Sequence, residues 1–529
     1  MANFIGTNIA DLWIGDGTDE TANGGGGDDF LRGMGGTDML DGGIGNDTAD
    51  GGDGDDTVYG GYGDDVVRGG NGSDIVEGGA GNDLIRGGAG NDLLVGGDGV
   101  DRIFSDGGVD ELDGGDGNDV LYGIDGGDTF TGGAGTDTVD YRYAGFVVID
   151  RTGGFGGNGG AAGFDTWDSI ERFRLSEWSD TYFGNAAGEY VDGGANQDII
   201  YGFDGDDHIV GGAGDDILSG SGGSDVLDGG AGADFFFGGD QRDTVTYGSA
   251  AAGVTLDLSN SANSTGDAAG DIFNDAIEAF VLSRYDDAFV GDSNDNEVAG
   301  GNGNDSLSGD LGADLLRGGA GNDTLVGGDG DDILAGGSGA DSMDGGDGFD
   351  TVSWSDATGA VSINLGSGTH QGQAARDTWT SIERFILGGH NDRFNGSGDV
   401  DIVGGGAGDD LLNGVGGNDQ LMGGAGNDTI AGGDGADIIY ADVGNDLING
   451  GSGADSFRFG SSPFGTDTIV DFENGVDKIT LGSVGAIGDL SIGQNGANTE
   501  ILLPDGSVLI LQNFNSADVD AADFLFGGP

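Results

Sequence analysis

Residues 78–97 read GGAGNDLIRGGAGNDLLVGG, in which one nine-residue phrase occurs twice in succession. Asp83 and Asp92 occupy the same place in the two copies, and a large apolar residue, Ile85 or Leu94, follows two positions later. The repeating unit is G-G-x-G-x-D-x-U-x, where U is a large apolar residue. A repeat of fixed period sets the architecture of a chain, so the extent of this one decides the fold.

The acidic position of the unit, here called slot six, recurs every nine residues in four blocks of 15, 8, 8 and 8 units. The first block has Asp11 and Glu20, then Asp29, Asp38, Asp47, Asp56, Asp65, Asp74, Asp83, Asp92, Asp101, Asp110, Asp119, Asp128 and Asp137. The second has Asp180, Glu189, Asp198, Asp207, Asp216, Asp225, Asp234 and Asp243. The third has Asp287, Asn296, Asp305, Asp314, Asp323, Asp332, Asp341 and Asp350. The fourth has Asp392, Asp401, Asp410, Asp419, Asp428, Asp437, Asp446 and Asp455.

The physics of one unit predicts a turn followed by a short strand. Its glycines permit positive φ and a tight turn. The stretch after the aspartate is rich in Leu, Ile, Val and Thr, which favour strands. Two successive units make one coil, and stacked coils bury the U residues that no single coil can bury alone. The sequence therefore predicts an all-β, right-handed parallel β-roll or β-helix of about 26 coils, roughly 120 Å long at ~4.8 Å per coil.

Composition limits the function. The chain of 529 residues has 96 acidic and 16 basic residues and a formal net charge of −80. Such a chain repels itself and stays unfolded unless something neutralises it, and it is a poor partner for nucleic acid. It has no cysteine, hence no disulfides or thiolate metal sites. We expect no Sec signal peptide at the N-terminus and no membrane-spanning segment.

The spacing of the carboxylates predicts metal binding. In a coil of two units, Asp83 lies near Asp65 and Asp101, so carboxylates of adjacent coils repel unless a cation separates them. Carboxylates and turn carbonyls are hard oxygen ligands that suit Ca²⁺ better than Mg²⁺. Interior sites would hold roughly 31 ions, which accounts for most of the acidic excess. A disordered acidic linker is the alternative, but it does not require a strict period with an apolar slot.

These units resemble the RTX (repeats-in-toxin) nonapeptides, a Ca²⁺-binding β-helix repeat. The resemblance covers about 350 residues and implies a β-roll with Ca²⁺ in its turns. It assigns metal-ligand roles to the slot-six aspartates from Asp29 in block one, Asp198 in block two, Asp305 in block three and Asp401 in block four.

Three inserts of related sequence separate the blocks, each with two β-patterned runs and a variable loop. The runs include FDTWDSIERFRL (164–175) and RDTWTSIERFIL (376–387). We expect two wider coils with one protruding loop per insert, and any specific binding surface in these loops. The acids Asp165, Glu171, Asp377 and Glu383 are candidates either for further Ca²⁺ or for ion pairs with Arg172 and Arg384.

The C-terminal segment has normal turn signals and a predicted hairpin around Pro504-Asp505-Gly506. It resembles the cap that follows RTX repeats in serralysin-type proteases, and its end, DVDAADFLFGGP, resembles a type I secretion signal. The predicted order is block one (1–139), insert one (140–179), block two (180–245), insert two (246–286), block three (287–352), insert three (353–391), block four (392–457) and cap with secretion signal (458–529).

Three functions are compatible with this organisation. The first is a secreted, extracellular Ca²⁺-dependent rod with a structural, cell-surface or matrix role, partnered by the type I secretion machinery and by its own copies. The second is an adhesin or module for cell-surface glycans that acts through the inserts. The third is a non-catalytic remnant or accessory of an exoenzyme. We expect no enzyme, because the repeat begins near residue 6 and HExxH, GxSxG and GxxxxGK motifs are missing.

Overall fold

The structure is a computed structural model that describes residues 3–124, 126–152, 158–274, 277–460, 463–482 and 484–526. The chain divides into two compact units. Unit one comprises residues 1–250 and 264–279, and unit two comprises residues 251–263 and 280–529. Both units are stacks of short parallel strands, which confirms the prediction of an all-β parallel solenoid.

Unit one contains three sheets. The first comprises Asn3–Ile5, Thr21–Gly26, Met39–Ile44, Thr57–Tyr62, Ile75–Ala80, Leu93–Asp98, Glu111–Asp116, Thr129–Ala134 and Thr166–Asp168. The second comprises Leu12–Ile14, Phe30–Gly35, Thr48–Asp53, Val66–Asn71, Leu84–Ala89, Arg102–Gly107, Val120–Tyr122, Thr138–Asp140, Arg172–Arg174, Tyr190–Ala195, His208–Ala213, Val226–Ala231 and Thr244–Thr246. The third comprises Gly159–Gly160, Val147–Asp150, Thr181–Phe183, Ile199–Asp204, Ile217–Gly222, Phe235–Asp240 and Ile272–Phe273.

Unit two repeats this arrangement. Its first sheet comprises Thr255–Asp257, Ala288–Val290, Ser306–Leu311, Thr324–Asp329, Ser342–Asp347 and Thr378–Thr380. Its second comprises Glu297–Asn302, Leu315–Ala320, Ile333–Ser338, Thr351–Ser353, Arg384–Ile386, Ile402–Ala407, Gln420–Ala425, Ile438–Tyr440, Ser456–Phe459, Lys478–Leu481 and Phe524–Phe526. Its third comprises Ser362–Asn364, Arg393–Asn395, Leu411–Gly416, Thr429–Asp434, Leu447–Ser452, Thr466–Ile469, Val508–Leu511, Asn498–Leu502 and Ser491–Asn495.

The remaining elements are few and short. Strand Ala279–Val281 is divided between the two units. Single 3₁₀ turns occur at Ser261–Asn263, Gly266–Ala268, Gly372–Ala374, Ile487–Asp489, Ser516–Asp518 and Ala521–Asp523.

The strand register follows the predicted coil of two units. Leu84 lies beside Val66 in one neighbouring strand and beside Arg102 in the other. Consecutive units therefore alternate between two sheets, and each strand pairs with the strand two units away. The apolar slot points inward along both sheets, and Ile85 and Leu94 are fully buried. The two alanines in this slot, Ala22 and Ala49, are buried as well.

Two glycines of most interior units have a steric reason to be there. Gly79 has φ +111° and Gly81 has φ +138°, values that side chains rarely adopt. A Cβ atom on Gly79 would also collide with the carbonyl oxygen of Gly61, one coil away. The close approach of successive turns thus depends on missing side chains.

At each insert one sheet ends and another begins, which the sequence does not predict. In insert one, strand Thr166–Asp168 is the last member of the first sheet. Val147–Asp150 opens the third sheet by pairing with Thr181–Phe183, while Arg172–Arg174 continues the second sheet. Insert three does the same in unit two, where Thr378–Thr380 closes one sheet and Ser362–Asn364 opens another.

The C-terminal segment continues the stack and then reverses direction. Thr466–Ile469 pairs in parallel with Val508–Leu511, and Asn498–Leu502 pairs with the latter in antiparallel fashion. The predicted hairpin around Pro504 is thereby confirmed, with Leu502 opposite Val508. These strands extend the third sheet of unit two, in which Ser491–Asn495 is the last strand.

We predict that Gly79→Ala lowers the free energy of unfolding by more than about 1 kcal/mol, because the new Cβ collides with Gly61 and φ is positive. The measurement is denaturant unfolding in saturating Ca²⁺. Gly107→Ala is the matched control, because no heavy atom lies within 4 Å of a Cβ placed there. Equal stability of the two variants would contradict the steric account.

Candidate metal centre in the repeat turns

Each slot-six aspartate ties its own turn to the turn one coil earlier. The Oδ1 atom of Asp83 accepts a hydrogen bond from the backbone N–H of Asp65 at 2.7 Å. The backbone carbonyl of Asp83 accepts from the N–H of Arg102 at 2.9 Å. Among the described residues, the same Oδ1 bond is made by every predicted ligand except Asp401.

In most of these residues the second carboxylate oxygen is buried and has no hydrogen-bond partner among the described residues. Oδ2 lacks any hydrogen bond within the described part of the chain at thirty aspartates, among them Asp65, Asp83 and Asp101. In the turn of Asp83, Oδ2 lies so close to Gly78 that a Cβ there would collide with it, and the carbonyl oxygen of Gly96 lies 2.8 Å from the same Cβ position. A buried anionic oxygen without a partner costs roughly several kcal/mol, so each of these turns requires a cation or a proton.

The first turns of each block and one turn of the C-terminal segment are closed differently. Slot two is the second position of the unit G-G-x-G-x-D-x-U-x. In these turns the residue in slot two does not have positive φ, and its N–H donates to the slot-six side chain four residues later in the same turn. The pairs are Thr7 to Asp11, Asp16 to Glu20, Ser176 to Asp180, Ser283 to Asp287, Asp292 to Asn296, Gly388 to Asp392, Ser397 to Asp401 and Glu473 to Asp477. A left-handed slot two removes this donor and leaves the carboxylate oxygen free for another partner.

Left-handed slot two is retained even without glycine. Non-glycine residues occupy it with positive φ at Met34, Asp106, Phe203, Ser221, Asp310, Val415 and Asp442. Such a conformation costs about 1 kcal/mol or more per residue. We call a turn open when slot two has positive φ and therefore gives no N–H to the slot-six carboxylate. The open turn is thus maintained against local strain.

Three acidic residues that the sequence did not predict as ligands also have a buried oxygen without a partner among the described residues: Glu20, Asp467 and Asp523. Asp467 accepts the N–H of Asp446 at 2.9 Å, as in the repeats, but at a spacing of 21 residues. Its slot two is Pro463, which has no N–H to donate, and its Oδ2 is buried without a partner among the described residues. Glu20 uses one carboxylate oxygen for Asp16 and leaves the other without a partner in the same part of the chain. The missing N–H of Pro463 was the available signal for Asp467.

Asp401, a predicted ligand, is set apart by its geometry. Its Oδ2 accepts the N–H of Ser397 at 2.9 Å, as in the other first turns of a block. Whether it binds metal stays a prediction, as it does for the other aspartates of the set.

The acids of the inserts also replace repeat aspartates. Asp165 accepts the N–H of Asp128 with one oxygen and the hydroxyl of Tyr141 with the other. Asp377 accepts the N–H of Asp341 and the indole N–H of Trp354. Hydroxyl or indole donors thus serve the oxygen that stays open in the repeats.

The two insert glutamates bond to the last slot-six aspartate of the preceding block. Glu171 accepts the N–H of Asp137, and Glu383 that of Asp350, both through Oε2. Of the arginines predicted as their alternative partners, Arg172 lies over the ring of Tyr190. Arg384 Nε is buried without a hydrogen-bond partner in the described part of the chain.

The electrostatics of the open turns are those of crowded carboxylates. Burial raises the pKa of Asp65, Asp74 and Asp110 to about 7 and that of Asp198 to about 8. The N–H bond to Oδ1 opposes this rise in pKa, and the carboxylates one coil away add to it. Protonation and cation binding therefore relieve the same repulsion.

The donor set suits a hard cation. Within the described residues, no three His, Cys, Asp or Glu side chains converge on one point. A metal in an open turn must therefore combine carboxylate oxygen with backbone carbonyls, as at Asp83 and Gly96. Such all-oxygen sets are typical of Ca²⁺. The residues present fit the ion that the sequence predicts.

Two of the three histidines, His208 and His370, pack against aromatic rings. His208 lies against the ring of Tyr190, with ring centroids 5.0 Å apart. His370 packs on Trp379 at 4.5 Å, and its Nδ1 accepts the N–H of Asn364 at 3.4 Å. Among the described residues, no helix is long and apolar enough to cross a bilayer.

Comparisons with known proteins agree with the repeat. A family profile described as RTX calcium-binding nonapeptide repeat (4 copies) matches residues 14–139, 183–245, 283–352 and 386–457, which is more than half of the chain. A comparison with curated proteins found no match.

Several solved structures resemble parts of the chain. The AlgE6R3 subunit of the Azotobacter vinelandii mannuronan C5-epimerase is 28% identical, with 26% of this chain and 78% of that chain covered and a TM-score of 0.19. The AlgE6R2 subunit of the same epimerase is 22% identical, with 28% and 93% covered and a TM-score of 0.19. The extracellular lipase LipA from Serratia marcescens is 16% identical, with 54% and 45% covered and a TM-score of 0.16. TM-scores this low do not establish a shared overall structure.

We predict that acid promotes folding of the metal-free chain. The folded-state pKa values of about 7 to 8 lie above the ordinary value near 4, so the folded state binds more protons than the unfolded state. The contribution to stability is complete below about pH 4 and is lost as the pH rises through about 6 to 8. In EGTA, circular dichroism should show more β-structure at pH 5 than at pH 8. Loss of β-structure between pH 8 and pH 5 would contradict this prediction.

Proposed function

The chain belongs to the family of RTX calcium-binding nonapeptide repeat proteins and is itself a calcium-binding repeat protein; from this premise we propose that it is exported unfolded and folds outside the cell when Ca²⁺ fills its open turns. The observation that carries the proposal is the set of thirty buried aspartate oxygens without partners in the described part of the chain. A fold with so many unpaired buried carboxylates is stable only when cations or protons neutralise them.

The residues of each open turn have defined tasks in this proposal. In the turn of Asp83, the bond from Asp65 to Oδ1 fixes the orientation of the carboxylate, and Oδ2 is left for the ion. Backbone carbonyls, such as that of Gly96, supply further oxygen ligands. Bound Ca²⁺ supplies the positive charge that neutralises adjacent coils. The binding free energy is then folding free energy, because the unfolded chain has no preformed site.

The low concentration of free Ca²⁺ inside a cell would restrict folding to the outside. Extracellular modules bind Ca²⁺ with dissociation constants of about 10⁻⁴ to 10⁻³ M, well above its free concentration in a cytosol. The chain would therefore remain unfolded during synthesis and pass through a type I secretion channel, for which DVDAADFLFGGP is the proposed signal. Outside the cell it becomes a rigid repeat protein with a structural, cell-surface or matrix role, without catalytic activity of its own.

A second candidate, an adhesin acting through the inserts, is favoured by the surface of insert one. This insert exposes 71% of Tyr143, 88% of Phe164 and 61% of Trp178. Exposed aromatic side chains grouped in one segment are typical of binding surfaces. Electron microscopy in Ca²⁺ separates the candidates. Ordered arrays support an assembly role, and monodisperse particles that bind to glycan arrays support an adhesin.

We predict that Ca²⁺ drives folding through the open oxygens. In the triple variant Asp65→Asn, Asp83→Asn and Asp101→Asn, the amide keeps the Oδ1 acceptor and loses the anionic ligand. The Ca²⁺ concentration for half-maximal β-structure should rise by about tenfold. The measurement is a Ca²⁺ titration followed by circular dichroism from an EGTA-treated start.

The matched control changes three exposed aspartates next to slot six, Asp28→Asn, Asp55→Asn and Asp64→Asn. Their Oδ1 atoms accept N–H bonds at the surface, and Asn46 and Asn82 already play this part in the same positions. The control loses the same charge and should keep the wild-type midpoint. Equal shifts in both triples would show that net charge, rather than the open turns, governs folding. A spectrum unaffected by EGTA would refute the proposal itself.

A further inference from the structure

One face of the second sheet in unit one carries a group of basic and aromatic side chains. They surround an open depression of about 680 Å³. We call this group the arginine–aromatic patch; it consists of Arg68, Arg86, Arg102, Phe104, Tyr122 and Tyr143. Five of the six lie on adjacent strands of the repeat, and Tyr143 comes from insert one.

The three arginines of the patch lie together without forming an ion pair in the described part of the chain; single arginines elsewhere, such as Arg172 and Arg384, also form none. The chain has 16 basic and 96 acidic residues, and Arg32, Arg151 and Arg317 all form ion pairs. By contrast, the side chains of Arg68, Arg86 and Arg102 form no ion pair or hydrogen bond with any described residue. Burial raises the pKa of the nearby Asp106 carboxyl, and the charge of Arg86 offsets this rise only in part.

Strand register brings like charges together. Arg68 and Arg86 are directly opposite each other on neighbouring strands, and Arg102 is opposite Leu84. On its other side Arg68 is opposite Asp50, whose carboxylate pairs with Arg32 at 3.5 Å. Like charges at opposite positions destabilise a sheet. A row of unpaired guanidinium groups, within the described part of an otherwise acidic molecule, therefore indicates an anionic ligand from outside the chain.

The aromatic side chains indicate the shape of that ligand. Phe104 and Tyr122 are stacked with centroids 4.1 Å apart and planes 1° apart, and Tyr143 stacks on Tyr122 at 6.3 Å. The guanidinium of Arg86 lies 4.8 Å above the Phe104 ring. Tyr143 is 71% exposed at the end of this stack, and the guanidinium of Arg142 lies 5.9 Å from its ring centroid.

We propose that the arginine–aromatic patch binds a carboxylated polysaccharide. A sugar ring offers a flat face of C–H groups to Tyr143, and its carboxylate offers two oxygens to the guanidinium fork of an arginine. The ladder of strands spaced ~4.8 Å apart presents such groups repeatedly along one line, which suits a polymer with one carboxylate per sugar.

Other partners fit this surface less well. Nucleic acid carries a denser row of charges than a polymer with one carboxylate per sugar, and three arginines match only a few of its phosphates. A second copy of the chain would need about 20–30 interface residues on each side, whereas the depression is lined by eight. The patch is also distinct from the Ca²⁺ turns, because its side chains point to the outside of the sheet.

The test is isothermal titration calorimetry of the Ca²⁺-loaded full chain with short galacturonate oligomers. The triple variant Arg68→Gln, Arg86→Gln and Arg102→Gln should weaken binding by at least about tenfold. Tyr143→Ala, which removes an exposed ring, should weaken binding by about fivefold. The charge-matched control Arg32→Gln, Arg284→Gln and Arg317→Gln should bind like the wild type.

The outcomes separate this proposal from the proposed function. Circular dichroism in Ca²⁺ shows whether each variant folds, so a failure of Ca²⁺-driven folding is detected independently of glycan binding. Wild-type affinity in the first triple variant would overturn the proposal, because binding bridged by Ca²⁺ would then suffice. Equal or tighter binding of dextran sulfate or single-stranded DNA would overturn it too. So would self-association that is lost in the triple variant without any galacturonate binding.

Discussion

The structure depends on one unmet requirement, the buried carboxylate oxygen in each open turn. The apolar slot supplies a narrow core of one residue per unit, such as Ile85 and Leu94. That core stands against the repulsion of stacked carboxylates and the ordering entropy of many glycines. Neither the hydrogen bonds to Oδ1 nor the strand ladder can neutralise the charge. The fold is therefore conditional, and the proposed Ca²⁺ is a part of its core.

Slot two decides which turns have this requirement. With positive φ, as at Gly79, its N–H is turned away from the carboxylate. With an ordinary conformation, as at Ser283, the N–H closes the turn on Asp287. The chain thus contains two kinds of turn, one complete in itself and one that needs an added cation. Turns closed by their own slot-two N–H lie at the starts of the blocks and at Asp477 in the C-terminal segment, and among them Glu20 still has a buried oxygen without a partner in the described part of the chain.

The sequence was sufficient for the fold and for most of the candidate site. The nine-residue period and the apolar slot predict strands, coil length and the inward face, because both follow from local spacing. The hairpin at Pro504 follows from turn chemistry. The exchange of sheets at the inserts could not be predicted, since Val147–Asp150 and Arg172–Arg174 are equally β-patterned and only long-range pairing separates them. Asp467 was missed because its spacing of 21 residues breaks the period.

Side-chain partners explain the rest of the difference. Asp401 has the slot-six pattern, yet Ser397 already serves its Oδ2 atom. Asp165 and Asp377 are matched with Tyr141 and Trp354, donors that lie far from them in sequence. The arginine–aromatic patch becomes visible only when the register places Arg68 beside Arg86. The pattern within one unit predicts the backbone fold. The partners of individual side chains depend instead on which coils lie next to each other.

The alternation of units between two sheets restricts how a chain of this kind can change in length. Gain or loss of two whole units leaves every later strand in its sheet and every carboxylate in its row. Gain or loss of a single nonapeptide would transfer all later strands of the block to the opposite sheet and carry surface groups such as Arg68 and Arg86 to different faces. Tandem duplication of two units therefore preserves the sheet of every later strand, whereas duplication of one unit does not. Outward-facing groups can thus be kept while the chain becomes longer.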